Sequence, residues 1–217
     1  MKTAPAPKSM YAPKSAQISK QKARTEATRR RLLEAAERVF VRDGFEAARL
    51  EDIAAGAGYT RGAFYANFES KEDIFFALLE HWISGRIEQI NSLLRQHGTA
   101  QTRVRALRRH YAQLATNRSL ALLSLEFKLF AIRHPQAHAR LRARQQKLRS
   151  CGGDILRRIM KDLGRSLPLS STAAATGLAA LSNALLLEHL VDPATLSDED
   201  TRRLLGMFFD AVIEHAR

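Results

Sequence analysis

Residues 44–71, GFEAARLEDIAAGAGYTRGAFYANFESK, leave this chain few ways to fold. Leu50, Ile53, Ala54 and Ala57 recur at i, i+3, i+4 and i+7, which puts one buried stripe on a helix of about two turns. Gly58 stands just past the last periodic position, where a left-handed backbone turns the chain sharply. Thr60 can then cap a second helix, with Tyr59 and Phe64 at hydrophobic-staple spacing around it. Phe64 and Phe68, four apart, pin that helix to a core, leaving Arg61, Gly62, Ala63, Tyr65, Ala66 and Asn67 to face outward. Two short helices joined by a tight turn have the spacing of a helix-turn-helix.

The outward residue types suit a major groove. Arginine donates two parallel hydrogen bonds to guanine, alanine meets a thymine methyl, glycine admits close backbone approach, and tyrosine or asparagine reaches phosphates from a helix flank. An amphipathic helix pair without any such role could share this spacing, so the flanks carry weight. Upstream, TRRRLLEAAERVFVRDGF places Leu32, Ala36, Val39 and Phe40 on one helical face and ends at Gly44. Downstream, Ser70 with Asp73 has the form of a capping box opening a longer helix.

Thr28, Leu32, Leu33, Ala36, Phe40, Gly44, Phe45, Ile53, Ala54, Ala57, Gly58, Gly62, Tyr65, Asn67, Phe68 and Lys71 together resemble the signature of the TetR (tetracycline-repressor-like) transcriptional regulators. The match covers about the first quarter of the chain after its tail. Carried over residue by residue, the resemblance implies that Thr60, Arg61, Gly62 and Ala63 face bases, while Tyr65, Asn67 and Lys71 hold the phosphate backbone. Lys71 has a physical argument besides, because it opens a helix whose N-terminal N–H groups and dipole favour an anion. Two positions depart from the family. Ala48 and Arg49 stand where a capping threonine or serine is usual, and Tyr59 replaces a smaller aliphatic residue. Arg49 either clamps a phosphate or is a solvated side chain.

The formal charge of +13 over 217 residues favours a polyanionic partner, nucleic acid first and an anionic membrane surface second. Charge alone does not choose between them, and Arg103, Arg105, Arg108, Arg109, Arg140, Arg142 and Arg144 lie well outside the helix-turn-helix. A single Cys151 excludes an intramolecular disulfide and fits a reducing, cytoplasmic setting. No secretory signal is visible, since no apolar run follows the basic start. Residues 166–187 carry no charge and are long enough to cross a bilayer. Their serines, threonines and Asn183 argue against a membrane partner, and their alanines with Gly177 read as a close helix–helix contact.

The chain reads as three parts: a flexible basic arm over 1–24, a helix-turn-helix DNA-binding domain over 25–70, and a helical ligand-binding and dimerisation domain over 71–217. The arm either follows phosphates and an adjacent minor groove or is a solvated leader. No sustained period-two alternation appears, so the fold class is all-α. Helices are predicted over 71–97, 101–115, 120–133, 136–161, 172–190 and 198–216, the fourth with a soft point at Gly152 and Gly153 and the last capped by Ser197. The two last helices are the most apolar pair. Ala180, Ala184, Leu187, Leu205, Phe209 and Val212 suit a four-helix bundle with a second copy of the chain, the homodimer that the resemblance implies. Two heads about 34 Å apart also give the specificity that one head lacks.

The resemblance further implies a pocket for a small-molecule effector behind the head. Candidate lining residues are Trp82, Tyr111, Glu126, Phe127, Phe130, Asn183 and His189, the alternative for each aromatic being a packed core side chain. Glu126, a carboxylate inside LLSLEFKLF, either pairs with an arginine such as Arg133 or faces a cavity. No glycine-rich phosphate loop, GxSxG or HExxH is present, so no catalytic residue, cofactor or metal is assigned. His134 and His138 have a metal-compatible spacing, but Pro135 between them marks a helix start. The expectation is a homodimeric repressor released from a palindromic double-stranded DNA operator by a small ligand. Its rivals are a nonspecific, charge-driven DNA binder and a helical small-molecule enzyme.

Overall fold

The computed structural model describes residues 14–96, 98–113 and 117–215. Among them the chain forms helices α1 (Lys14–Ala47), α2 (Leu50–Gly56), α3 (Arg61–Tyr65), α4 (Lys71–Gln96), α5 (Ala100–Gln113), α6 (Arg118–Arg133), α7 (Pro135–Asp162), α8 (Ser171–Val191) and α9 (Asp198–Glu214), with no strand. The all-α expectation holds. Residues 1–13 of the expected arm lie outside the described residues, whereas 14–24 are helical and extend α1. Pro13 is the last helix breaker there, and the Lys, Gln, Ala and Arg that follow are strong helix formers.

Gly44 interrupts α1 with φ 73° and ψ 172°, so the last residues of the element leave the main helix at an angle. The turn drives Phe45 inward until it is 4 % exposed, against Phe40 and Phe75. One core gathers α1 to α4 around Leu32, Phe40, Ile53, Phe64, Phe68 and Phe75, and α6 contributes Leu123, Phe127 and Phe130 to it. The ring centroids of Phe75 and Phe127 are 4.1 Å apart and those of Phe45 and Phe130 4.5 Å, so packing is continuous across residue 70. A second core joins α5, α7, α8 and α9 through Tyr111, Ile155, Ile159, Leu178, Leu205 and Phe209.

Gly152 and Gly153 do not soften α7, which runs unbroken through them. A Cβ built on Gly153 would lie 2.8 Å from the Thr172 Cα, and one on Gly152 would lie 3.3 Å from the Ala175 Cβ. The pair lets α7 and α8 approach closely, which is why the helix accepts two poor helix formers. Asn117, Ser170 and Ser197 cap α6, α8 and α9 by accepting from Leu120, Ala173 and Asp200 N–H.

Candidate functional site

The head is built from local rules. α2 starts at Arg49 without a side-chain cap, as the sequence foretold, and Glu51 and Asp52 in its first turn favour its positive end. Gly58 has φ 75°, the left-handed turn between α2 and α3. The Thr60 Oγ1 accepts the Ala63 N–H at 3.3 Å, so its hydroxyl caps α3. Tyr59 packs on the core beside it, and its hydroxyl lies 3.3 Å from Thr28 Oγ1. Phe64 is fully buried, which turns Arg61, Gly62 and Tyr65 to solvent, with Ala63 half-buried.

Arg61 is held in place on this face. Its Nη1 lies 2.9 Å from Glu51 Oε1, its Nη2 donates to the Tyr65 hydroxyl at 3.3 Å, and its guanidinium sits 5.5 Å from the centre of that ring. These partners raise its already high pKa, Tyr65 most of all, so the charge is permanent. Arg49 is exposed, and no partner meets it among the described residues.

Two expected phosphate contacts, Asn67 and Lys71, have partners within the chain. The Asn67 Nδ2 donates to the Ala63 carbonyl at 2.8 Å and its Oδ1 is buried without a partner, so the amide closes the end of α3 rather than pointing outward. Its backbone carbonyl accepts from Arg29, whose guanidinium stacks 4.2 Å over Phe68. The Lys71 ammonium donates to the carbonyls of Glu46 at 2.9 Å and Ala48 at 3.3 Å and lies 4.7 Å from the Phe45 ring centre. It ties α4 to the segment after the Gly44 kink, and one of its three N–H groups remains for a phosphate. Half of the expected capping box forms: Asp73 N–H donates to Ser70 Oγ, while the Asp73 Oδ2 accepts the N–H of Glu69, one residue before the cap.

Behind the head, a cavity of about 290 Å³ opens between α4, α5, α6, α7, α8 and α9. Of the seven candidate lining residues, Tyr111, Phe127 and Asn183 line it. The other four expected residues are elsewhere. Trp82 donates from Nε1 to Glu37 Oε2 at 3.3 Å and packs on the head core. Phe130 stacks among Phe45, Phe75, Phe76 and His134. His189 places Nδ1 2.8 Å from the Leu196 carbonyl and Nε2 2.9 Å from Asp198 Oδ1, bracing the α8–α9 loop. Glu126 meets neither Arg133 nor the cavity: its Oε2 accepts the Phe45 N–H at 2.9 Å, satisfying a donor freed by the Gly44 kink.

Two cavity residues escaped sequence reasoning. Arg86 lies on the apolar stripe of α4, three residues from Ile83 and four from Ile90, and a charge at a stripe position was the available signal. Its Nε is buried with no hydrogen-bond partner, as is the Nε2 of His110 on α5. Burial pulls the Arg86 pKa down, and burial followed by the Arg86 charge does the same to His110. Cys151 also lines the cavity, its thiol pushed up by burial and then by Asp154, which disfavours the reactive thiolate. Among the described residues no group of three His, Cys, Asp or Glu could hold a metal ion. His134 sits 3.5 Å from Glu46, and the side chain of His138 lies outside the described residues.

The expected dimer face divides. Leu205 and Phe209 are 0 % and 5 % exposed and belong to the subunit's own core, with Phe209 against Tyr111, so they present nothing to a second copy. The assignment of these two outward follows from α9 having apolar residues on two sides: Met207 and Phe208 are 58 % and 42 % exposed. Ala180 and Ala184 are exposed, and Leu187 and Val212 partly so. α8 is long and apolar enough to cross a membrane by length and composition. Its Ser182 and Thr176 hydroxyls donate to carbonyls of their own helix, which accommodates those groups in a packed helix pair.

Residues 32–78 match the sequence model for bacterial regulatory proteins of the tetR family. The transcriptional repressor BepR of Brucella suis is 47 % identical over 58 residues, 27 % of this chain and 28 % of that protein. The regulator TtgR of Pseudomonas putida is 41 % identical over 63 residues, 29 % of this chain and 30 % of that protein. The chain thus aligns with less than a third of the length of each of these curated relatives. The crystal structure of the transcriptional regulator FadR from Bacillus subtilis in complex with stearoyl-CoA shares the fold, with TM-score 0.66 and 19 % identity over 86 % of this chain and 98 % of that one.

Proposed function

We infer that this chain, a member of the tetR family of bacterial regulatory proteins, is a homodimeric, sequence-specific DNA-binding transcriptional regulator, a repressor released from a palindromic operator by a small-molecule effector. The observation that carries this reading is the Thr60-capped α3 after the left-handed Gly58, which presents Arg61, Gly62, Ala63 and Tyr65 on an exposed face. That is the geometry a recognition helix needs to enter a major groove, with Arg61 available for a guanine and Arg49 and Tyr65 at its flanks for phosphates. Two heads related by a two-fold axis would read a palindrome, which supports pairing through the exposed apolar side of α8 and α9: Ala180, Ala184, Leu187, Met207, Phe208 and Val212. A regulator of this kind acts in the cytoplasm.

Release follows from how the cavity is wired to the head. α4 carries Lys71 in the head and Arg86 in the cavity, fifteen residues and about 22 Å apart on one helix. α6 carries Phe127 at the cavity and, next to it, Glu126 on the Gly44 kink. A ligand that moves α4 and α6 therefore moves both anchors of the segment leading to α2. The effector works to the extent that it binds the displaced state better.

Selection of bound duplexes from a random pool at physiological salt tests the reading. A recurrent inverted repeat is the expected product, and no enrichment at raised salt would leave only charge-driven binding.

A further inference from the structure

Arg86 is the least expected side chain in the cavity. A guanidinium keeps its proton in proteins, so it cannot escape burial by becoming neutral as a lysine does. Yet its Nε is shut off from solvent and unpartnered, on a wall otherwise made by Ile83, Ile87, Ile90 and Phe127. A buried guanidinium nitrogen without a partner is unfavourable to folding, and such a group persists where binding uses it. His110 approaches from α5 with a second buried, unsatisfied nitrogen, and the Tyr111 hydroxyl beside it already donates to the Leu178 carbonyl. The exposed Lys128 adds positive charge to the lining, which contains no Asp or Glu among the described residues. The electrostatics of the cavity are therefore one-sided, while most of its surface is apolar.

We propose that the cavity binds an amphipathic organic anion, with a carboxylate or phosphate group held by Arg86 and His110 and an apolar body lying along Ile83, Ile87, Ile155 and Phe209. The planar fork of Arg86 offers paired donors to two oxygens of such a group, and neutral His110 donates a further hydrogen bond in the tautomer protonated at Nε2. At about 290 Å³ the space stands at the small end of ligand pockets, which favours a single medium-length chain or a single-ring body. The inference rests on reading this cavity as the effector site and names what that effector must carry.

Calorimetry on the full chain, without DNA, tests it with decanoate, decyl phosphate, decanol, decylamine and the pair phenylbutyrate and phenylbutanol. At least one anion is expected to bind about tenfold to a hundredfold tighter than its alcohol, the span of charge-assisted hydrogen bonds. The carboxylate and phosphate arms identify the head group. Arg86→Gln is expected to erase the preference and to raise the melting temperature of the ligand-free chain by removing the buried, unpartnered Nε and its charge, whereas Arg86→Lys keeps part of the preference. Equal binding of anion and alcohol, binding of no anion, or an unchanged preference in Arg86→Gln overturns the proposal. Duplex selection reads the head separately. Enrichment without anion binding sinks only the anion site, and anion binding that fails to release the selected duplex keeps the site and sinks its effector role.

Discussion

The Glu126 carboxylate accepts the Phe45 backbone N–H at 2.9 Å, linking two residues far apart in sequence and in function. Phe45 follows the Gly44 kink that ends the straight part of α1, and Glu126 precedes Phe127 on the cavity wall. The contact is tight, since a Cβ on Gly44 would lie 3.1 Å from Glu126 Oε1. Glu126→Ala leaves a part-buried N–H unsatisfied and is expected to cost about 1–3 kcal/mol in urea unfolding. Glu126→Gln keeps an acceptor oxygen and should recover most of that loss. If alanine and glutamine behave alike, the bond contributes little.

Arg61 must exchange Glu51 for a base when α3 enters a groove. Arg61→Ala is expected to relax base preference at one operator position by about tenfold or more, with little change at others. Glu51→Gln frees the guanidinium and removes a negative charge near the phosphates, so operator affinity should rise several-fold and depend more steeply on salt. Fluorescence anisotropy at several salt concentrations measures both. Weaker binding by Glu51→Gln would show that the acid positions Arg61 rather than competing for it.

The expectation for Lys71 changes with its partners. With two carbonyls as acceptors, Lys71→Met should lower stability by about 1–2 kcal/mol and weaken all duplexes alike through a loosened head. A phosphate role predicts a different mark, a salt slope shallower by about one contact with the melting temperature unchanged. Melting curves and salt-dependent binding on the same variant separate the two.

What could be read in the sequence was what local spacing governs. Gly58, Thr60, Ser70 and Ser197 each act where the cap and turn rules put them, because those rules involve neighbours within four residues. Glu126 was visible as an anomaly but not solvable, since its partner Phe45 is distant in sequence and offers only a backbone N–H. Leu205 and Phe209 were assigned outward because α9 is apolar on two sides and periodicity does not say which side meets its own subunit. Arg86 needed one more step, asking of each stripe which charge interrupts it.

Gly153 sets the distance between α7 and α8. A methyl there would meet Thr172 backbone atoms at under 3 Å, and backbone cannot rotate away as a side-chain tip can. Gly153→Ala is therefore expected to destabilise by about 1–3 kcal/mol despite alanine's better helix propensity. Gly152→Ala, facing only the Ala175 Cβ at 3.3 Å, should be much milder. Circular dichroism melts rank the two, and equal effects would mean that the α7–α8 contact yields readily.

His110 gives the fold a pH dependence with a definite sign. Burial first and the Arg86 charge second lower its pKa from the ordinary value of about 6.5. The unfolded chain therefore takes up a proton at this position before the folded chain does. Stability is complete above the unfolded value and is lost as pH falls from there toward the folded one, so the melting temperature should drop as pH falls below about 6.5. His110→Asn removes the titrating group and should flatten that part of the curve relative to the parent. An anion seated beside Arg86 and His110 would favour the protonated imidazole, so saturating anion should reduce the same slope in the parent and leave the asparagine variant unchanged. A slope identical in parent and variant would assign the dependence to other groups.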